Sequence, residues 1–137
     1  MTRRSELREA TFLILFRADF YEADEIPAQV KAFFEGEDGF TDEEKQYIGE
    51  KVISVCEHIP EIDAELDKIS IGWKVKRMTK VDLTALRLAF YEIKYEPSVP
   101  VSTAINDAVE LSKNYGTDNS ASFVNGILAT VANGSDK

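Results

Sequence analysis

The chain has 137 residues, 44% of them hydrophobic, a net charge of −9 and one cysteine, Cys56. That is long enough to bury a core and too apolar for a disordered segment. The apolar stretch at residues 12–16 is far short of the ~20 residues a bilayer crossing needs, it follows Glu6 and Glu9, and a lone cysteine makes no internal disulfide. A cytoplasmic protein of one domain, residues 1–137, is therefore expected, with no membrane partner.

The charge is unevenly spread. Residues 1–18 carry Arg3, Arg4, Arg8 and Arg17 against Glu6 and Glu9. Residues 19–67 carry sixteen acids and three lysines, and residues 73–87 carry Lys74, Lys76, Arg77, Lys80 and Arg87 against Asp82 alone. Two basic segments and one acidic lobe can hold an anion at one face and repel it elsewhere.

Helical periodicity recurs from end to end, and strand signals are weak. A first helix is predicted over residues 5–21, with Leu7, Ala10, Thr11, Ile14, Leu15 and Ala18 on one face and Phe12, Phe16 and Phe20 on an adjacent stripe. A second follows Pro27, which suits a first helical turn, and ends at the Gly36–Gly39 turn. Thr41 begins a third, because Glu44 can reach back to the Thr41 amide in a capping box. Pro60 is expected to open a fourth, with Ile62, Leu66 and Ile69 inward. Thr79 starts a fifth, with Asp82 at the positive end of its dipole. This helix is apolar on most sides and should be central to the core. A sixth follows Pro100 and stops before Gly116. The seventh follows Ser120 and contains Gly126, whose missing side chain suggests a closely approaching helix. The expected fold is all-α, about seven helices joined by short loops.

Catalytic chemistry is hard to assemble from these residues. A metal site needs three or four convergent ligands. Cys56 and His58 are two residues apart and point to different helix faces, which fits a core thiol and a surface imidazole near a helix end. With one histidine, a nucleophile–base pair rests on His58 alone. No glycine-rich phosphate loop is present, and no carboxylate pair stands out. No catalytic residue, metal, cofactor or small-molecule substrate is expected. What remains is a binding signal: arginines at a helix start, where cations are slightly unfavourable unless an anion is bound.

Residues 73–92 closely resemble a pattern of the NusB family, a tryptophan, an arginine, then V-D-x-x-x-L-R-x-A-x-Y-E, carried here by Trp73, Arg77, Val81, Asp82, Leu86, Arg87, Ala89, Tyr91 and Glu92. Ile105 to Lys113 is similar to the family's I-N-E-A-V-E-L-A-K helix. Ser120, Phe123, Val124, Asn125, Gly126 and Leu128 match its S-x-x-F-V-N-G-V-L ending. Arg8, Glu9 and Ala10 match more loosely.

The resemblance implies two small helical bundles packed together, and an antitermination factor that binds boxA-type RNA with NusE, a small-subunit ribosomal protein that doubles as a transcription factor. The complex would act on RNA polymerase in ribosomal RNA operons. By match, Arg3, Arg4 and Arg8 are the phosphate candidates, and Asn119, Ser120 and Phe123 lie near bases. Phe16, Phe20 and Asp82 would face NusE. The family often has Gln and Tyr where this chain has Leu13 and Phe16, which removes one hydroxyl. Two other readings compete: an RNA-recruiting domain related to ribosomal RNA cytosine methyltransferases, and a protein-interaction module without RNA binding. With the last motif close to residue 137, no cofactor-binding domain is expected, which disfavours the methyltransferase reading.

Overall fold

The computed structural model describes residues 2–70 and 72–135, the last by its backbone alone. Among them are six α-helices and no strand: α1 (Arg3–Ala18), α2 (Ile26–Phe34), α3 (Asp42–Ile69), α4 (Lys80–Tyr95), α5 (Val101–Tyr115) and α6 (Ser120–Ser135). The all-α expectation holds, with one helix fewer than predicted. The chain divides into two compact units, residues 1–57 and 58–137, and the boundary falls inside α3.

The lost helix is explained by Pro60, which lies inside α3 instead of opening a new helix. Proline has no N–H to donate four residues back and its ring crowds that carbonyl, at a cost of ~3 kcal/mol. Against this stands one unbroken apolar stripe. Ile48, Val52, Val55, Ile62 and Leu66 are all fully buried, at intervals of one helical turn or two on either side of the proline. Each buried aliphatic side chain contributes about 1.5–3 kcal/mol, so the stripe outweighs the proline.

In the first unit α1 packs against α2. Thr2 caps α1, its hydroxyl accepting from the Ser5 amide. Phe12, Ile14, Leu15, Ile26 and Phe34 are buried there. Helix α1 stops at Ala18, three residues early, so the phenylalanine stripe does not run along one helix. Phe12 is core, Phe16 is half-buried, and Phe20 sits in the following turn. Pro27 occupies the first turn of α2, and Gly36, at φ +78°, follows its end. The Thr41–Glu44 capping box forms in both directions, at 2.9 and 3.1 Å.

In the second unit α4, α5 and α6 pack on one another. Residues 82–90 of α4 are all buried, as a central helix requires. Arg87 is among them: its guanidinium grips Asp63 of α3 with two hydrogen bonds, at 2.9 and 2.7 Å. It is therefore an internal tie and not part of the surface charge of the 73–87 segment. His58 also departs from expectation. It lies inside α3, with its ring 4.3 Å from Tyr95 and 5.7 Å from Tyr91. Cys56 is half-buried, not a core thiol.

The expected close approach at Gly126 is absent. The residue is exposed, and a Cβ built there meets nothing within 4 Å. Gly116 is the glycine that a close approach requires: a Cβ there would lie 2.4 Å from the Ser120 hydroxyl oxygen and 2.7 Å from the Ser112 carbonyl oxygen.

Candidate nucleic-acid interface

The turn from α5 to α6 is built from its own polar groups. The Gly116 amide donates to the Ser112 carbonyl at 2.9 Å and closes α5. The Ser120 hydroxyl accepts from the Thr117 amide at 3.0 Å, and the Ser120 amide donates to the Thr117 carbonyl. These bonds bury Ser120 and leave Asn119 exposed at the start of α6, with Phe123 one turn further on.

The start of α4 is held in a similar way. Thr79 caps it, its hydroxyl accepting from the Asp82 amide at 3.2 Å. The preceding segment is pinned to the end of α3. The Ser70 hydroxyl donates to the Trp73 carbonyl at 2.6 Å, and the Val75 amide donates to the Asp67 carboxylate at 2.7 Å. Gly72, at φ +82°, makes the turn. Trp73 is left 49% exposed.

These pieces meet around one cavity of about 360 Å³. Thr79, the cap of α4, and Asp82 in its first turn line it, with Thr117, Asn119, Ser120 and Phe123 from the α5–α6 turn and α6. Trp73 and Arg77 complete it. The three residues placed near RNA bases by resemblance are thus brought together. Asp82, placed on the NusE side, shares their cavity; it is 8% exposed, and its Oδ1 is buried without a hydrogen-bond partner. Trp73 and Arg77 were not among the sequence candidates. The available signal was an aromatic ring standing in a basic segment.

The arginines of α1 are less uniform than their spacing suggested. Arg3 donates through Nε to Glu44 at 2.8 Å, through Nη1 to Glu6 at 2.7 Å, and through Nη2 to Glu44 and the Gly39 carbonyl. Four of its five N–H donors are so used. The Arg3 hydrogen bonds, with a backbone bond from Thr41, hold the Glu44 carboxyl at about 2, far below its ordinary range. Arg8 is 6% exposed. Arg4 is exposed. At the other end of α1 the Phe16 and Phe20 rings meet edge to face at 6.1 Å, and Phe20 is 65% exposed.

Among the described residues no group of three or more His, Cys, Asp or Glu side chains could hold a metal ion, and no helix is long and apolar enough to cross a membrane. The described residues define a small all-helical protein with a cavity at the starts of α4 and α6. Residues 5–133 match the model of the NusB family. The transcription antitermination protein NusB of Agathobacter rectalis is 49% identical over 129 residues, which is 94% of this chain and 98% of the relative. NusB of Lachnoclostridium phytofermentans is also 49% identical, over 96% of this chain and 98% of its own length. The solved structure of T. maritima NusB superposes with a TM-score of 0.87 at 30% identity, covering 97% of this chain and 92% of that one. A complex of the antitermination factors NusB and NusE with double-stranded RNA contains a chain that matches with a TM-score of 0.84 at 27% identity, covering 98% and 99%. The chain belongs to the NusB family.

Proposed function

We propose that this protein is a cytoplasmic transcription antitermination factor that binds boxA-type single-stranded RNA of ribosomal RNA operons together with NusE, acts on RNA polymerase in that complex, and catalyses no reaction. The observation that carries this reading is the cavity in which Asn119 and Phe123 stand beside Trp73 and Arg77. Single-stranded RNA is recognised by stacking on aromatic rings and by polar groups at the edges of unstacked bases. An indole, a phenyl ring, an amide and a guanidinium supply those functions. Relatives with about half their residues in common carry the name of antitermination protein.

In this reading Arg4 and Arg77 carry the phosphate contacts, Asn119, Ser120 and Phe123 meet bases, and Phe16 and Phe20 face NusE. Arg3 serves mainly as a tie to Glu44 and Glu6, and Arg8 contributes through packing. The test is an anisotropy titration with boxA-like and scrambled single strands, with and without NusE. Tighter binding of the boxA strand, strengthened by NusE, is expected. Equal and salt-insensitive binding of both strands would refute the reading.

A further inference from the structure

We propose that the cavity between α2 and the first turns of α3 binds a small carboxylate with an apolar body, its charge held by Lys45 and Lys31 and its body lying on Phe34, Val30 and Pro27. The site lies within the first unit and is independent of the RNA-binding reading. Residues 19–67 carry sixteen acids against three lysines, Lys31, Lys45 and Lys51. Lys51 is buried and donates to the Tyr47 hydroxyl at 3.2 Å. Lys31 and Lys45 line the same cavity of about 430 Å³, and neither forms an ion pair with a carboxylate among the described residues. In so acidic a segment, two cations without a counter-charge at one cavity leave room for an anion from outside the chain.

Packing fixes the apolar wall. Val30 comes so close to α3 that a Cβ on Gly49 would lie 3.1 Å from its Cγ1. Phe34 is buried at the end of α2, with the Phe33 and Phe40 rings edge to face at 5.3 and 5.4 Å. The Lys45 Nζ stands 6.0 Å from the centre of the Phe34 ring, so its charge sits beside the apolar wall and is not extended into solvent. Lys31 suits the last turn of α2, where the carbonyl end of the helix favours a cation. Lys45 gains nothing of the kind near the start of α3, where Asp42, Glu43 and Glu44 are the residues that suit the dipole.

The charges decide the class of ligand. Lys31 and Lys45 stand against Glu35 in the lining, a balance of +1. One carboxylate neutralises it, through charge-assisted hydrogen bonds from the ammonium groups. A nucleic acid or an acidic peptide carries its charge beyond the cavity, and the segments that flank the lining hold Glu37, Asp38, Asp42 and Glu43, which repel it. A wholly apolar ligand would cover charged groups without pairing them, at a cost. Pro27, Val30 and Phe34 give the rest of an amphipathic anion its apolar surface, and the volume lies within the range of small-ligand sites.

The intact, isotope-labelled protein is titrated by NMR with phenylbutyrate, and with phenylbutyramide, which has the same apolar body and no charge. The backbone amide signals of Val30, Lys31, Phe34 and Lys45 should shift and saturate at about millimolar phenylbutyrate. The neutral amide should bind about fivefold more weakly, the scale of a partly exposed ion pair. Lys45→Gln should remove that difference while leaving the amide's affinity, the helical circular dichroism and RNA binding unchanged. Equal affinity for the acid and the amide, shifts without saturation, or a Lys45→Gln protein that still prefers the acid would each overturn the proposal. So would an acidic peptide that binds at these residues when phenylbutyrate does not, since the cavity would then be a protein-docking groove.

Discussion

Gly116→Ala and Gly126→Ala make the same chemical change ten residues apart, and the structure requires opposite outcomes. At Gly126 an added methyl meets nothing within 4 Å, and the position is an exposed helix interior. The gain is the helix-propensity difference, about 1 kcal/mol. At Gly116 the methyl would fall 2.4 Å from the Ser120 Oγ, 2.7 Å from the Ser120 Cβ and 2.7 Å from the Ser112 carbonyl oxygen. Ser120 is buried and its hydroxyl holds the Thr117 amide, so it moves only by giving up that bond. Overpacking and a lost hydrogen bond together cost about 2–3 kcal/mol. With an unfolding entropy of ~2 cal/mol/K per residue over this chain, the thermal midpoint should rise by about 3 °C for Gly126→Ala and fall by about 7–10 °C for Gly116→Ala. Calorimetry reads both. Gly116→Ala should also weaken RNA binding, because Ser120 anchors the turn that presents Asn119. Shifts of the same sign, or an unchanged midpoint for Gly116→Ala, would refute the geometry on which the site is built.

Three further outcomes are expected. Asp63→Ala removes both hydrogen bonds to a guanidinium that is only 11% exposed, and should cost about 2 kcal/mol in urea denaturation; an unchanged midpoint would show that Arg87 does not depend on the pair. Glu44 is held at about 2 when folded, so its contribution is complete above its ordinary value near 4.5 and is lost as pH falls towards 2. Arg3→Ala should move this carboxyl upward in a carbon-detected NMR titration, though not fully, since the Thr41 cap remains. If Arg4 and Arg77 each neutralise one phosphate, the slope of log RNA affinity against log salt should be about −1.4, and Arg77→Ala should reduce its size by ~0.7; a slope unaffected by Arg77→Ala would take that residue out of the interface.

What the sequence made legible was mostly local. The Thr41–Glu44 box, the Thr79 cap, Pro27 in a first turn and the stop at Gly116 are contacts between residues at most four apart, where a pattern in the chain and a geometry in space are the same thing. Pro60 marks the limit of such rules. Its local preference is real, but it competes with a buried stripe extending through both halves of α3, whose worth depends on what packs against it. The arginines mark a second limit. Arg87 looked like a surface cation because the carboxylate that neutralises it lies 24 residues away, and Arg3, though exposed, is paired with Glu44 41 residues away as well as with nearby Glu6. Counting charges along a segment therefore overstates what a bound anion would meet.

The candidate site was legible in halves for the same reason. The α6 motif identified Asn119, Ser120 and Phe123 by resemblance, and the basic segment before α4 was visible as charge. Nothing in either segment says that they line one cavity, because that follows from how α4, α5 and α6 pack. Once they do, the roles of single residues change. Arg77 and Trp73 then share a cavity with Asp82 and Phe123, instead of standing as one cation in a basic run and one stray exposed aromatic. The chain's acidic total is then no obstacle to an anionic ligand. What an anion in that cavity would meet is set by the cavity's own lining, Arg77 and Asp82 among it, while charges farther than a Debye length, ~8–10 Å, are screened.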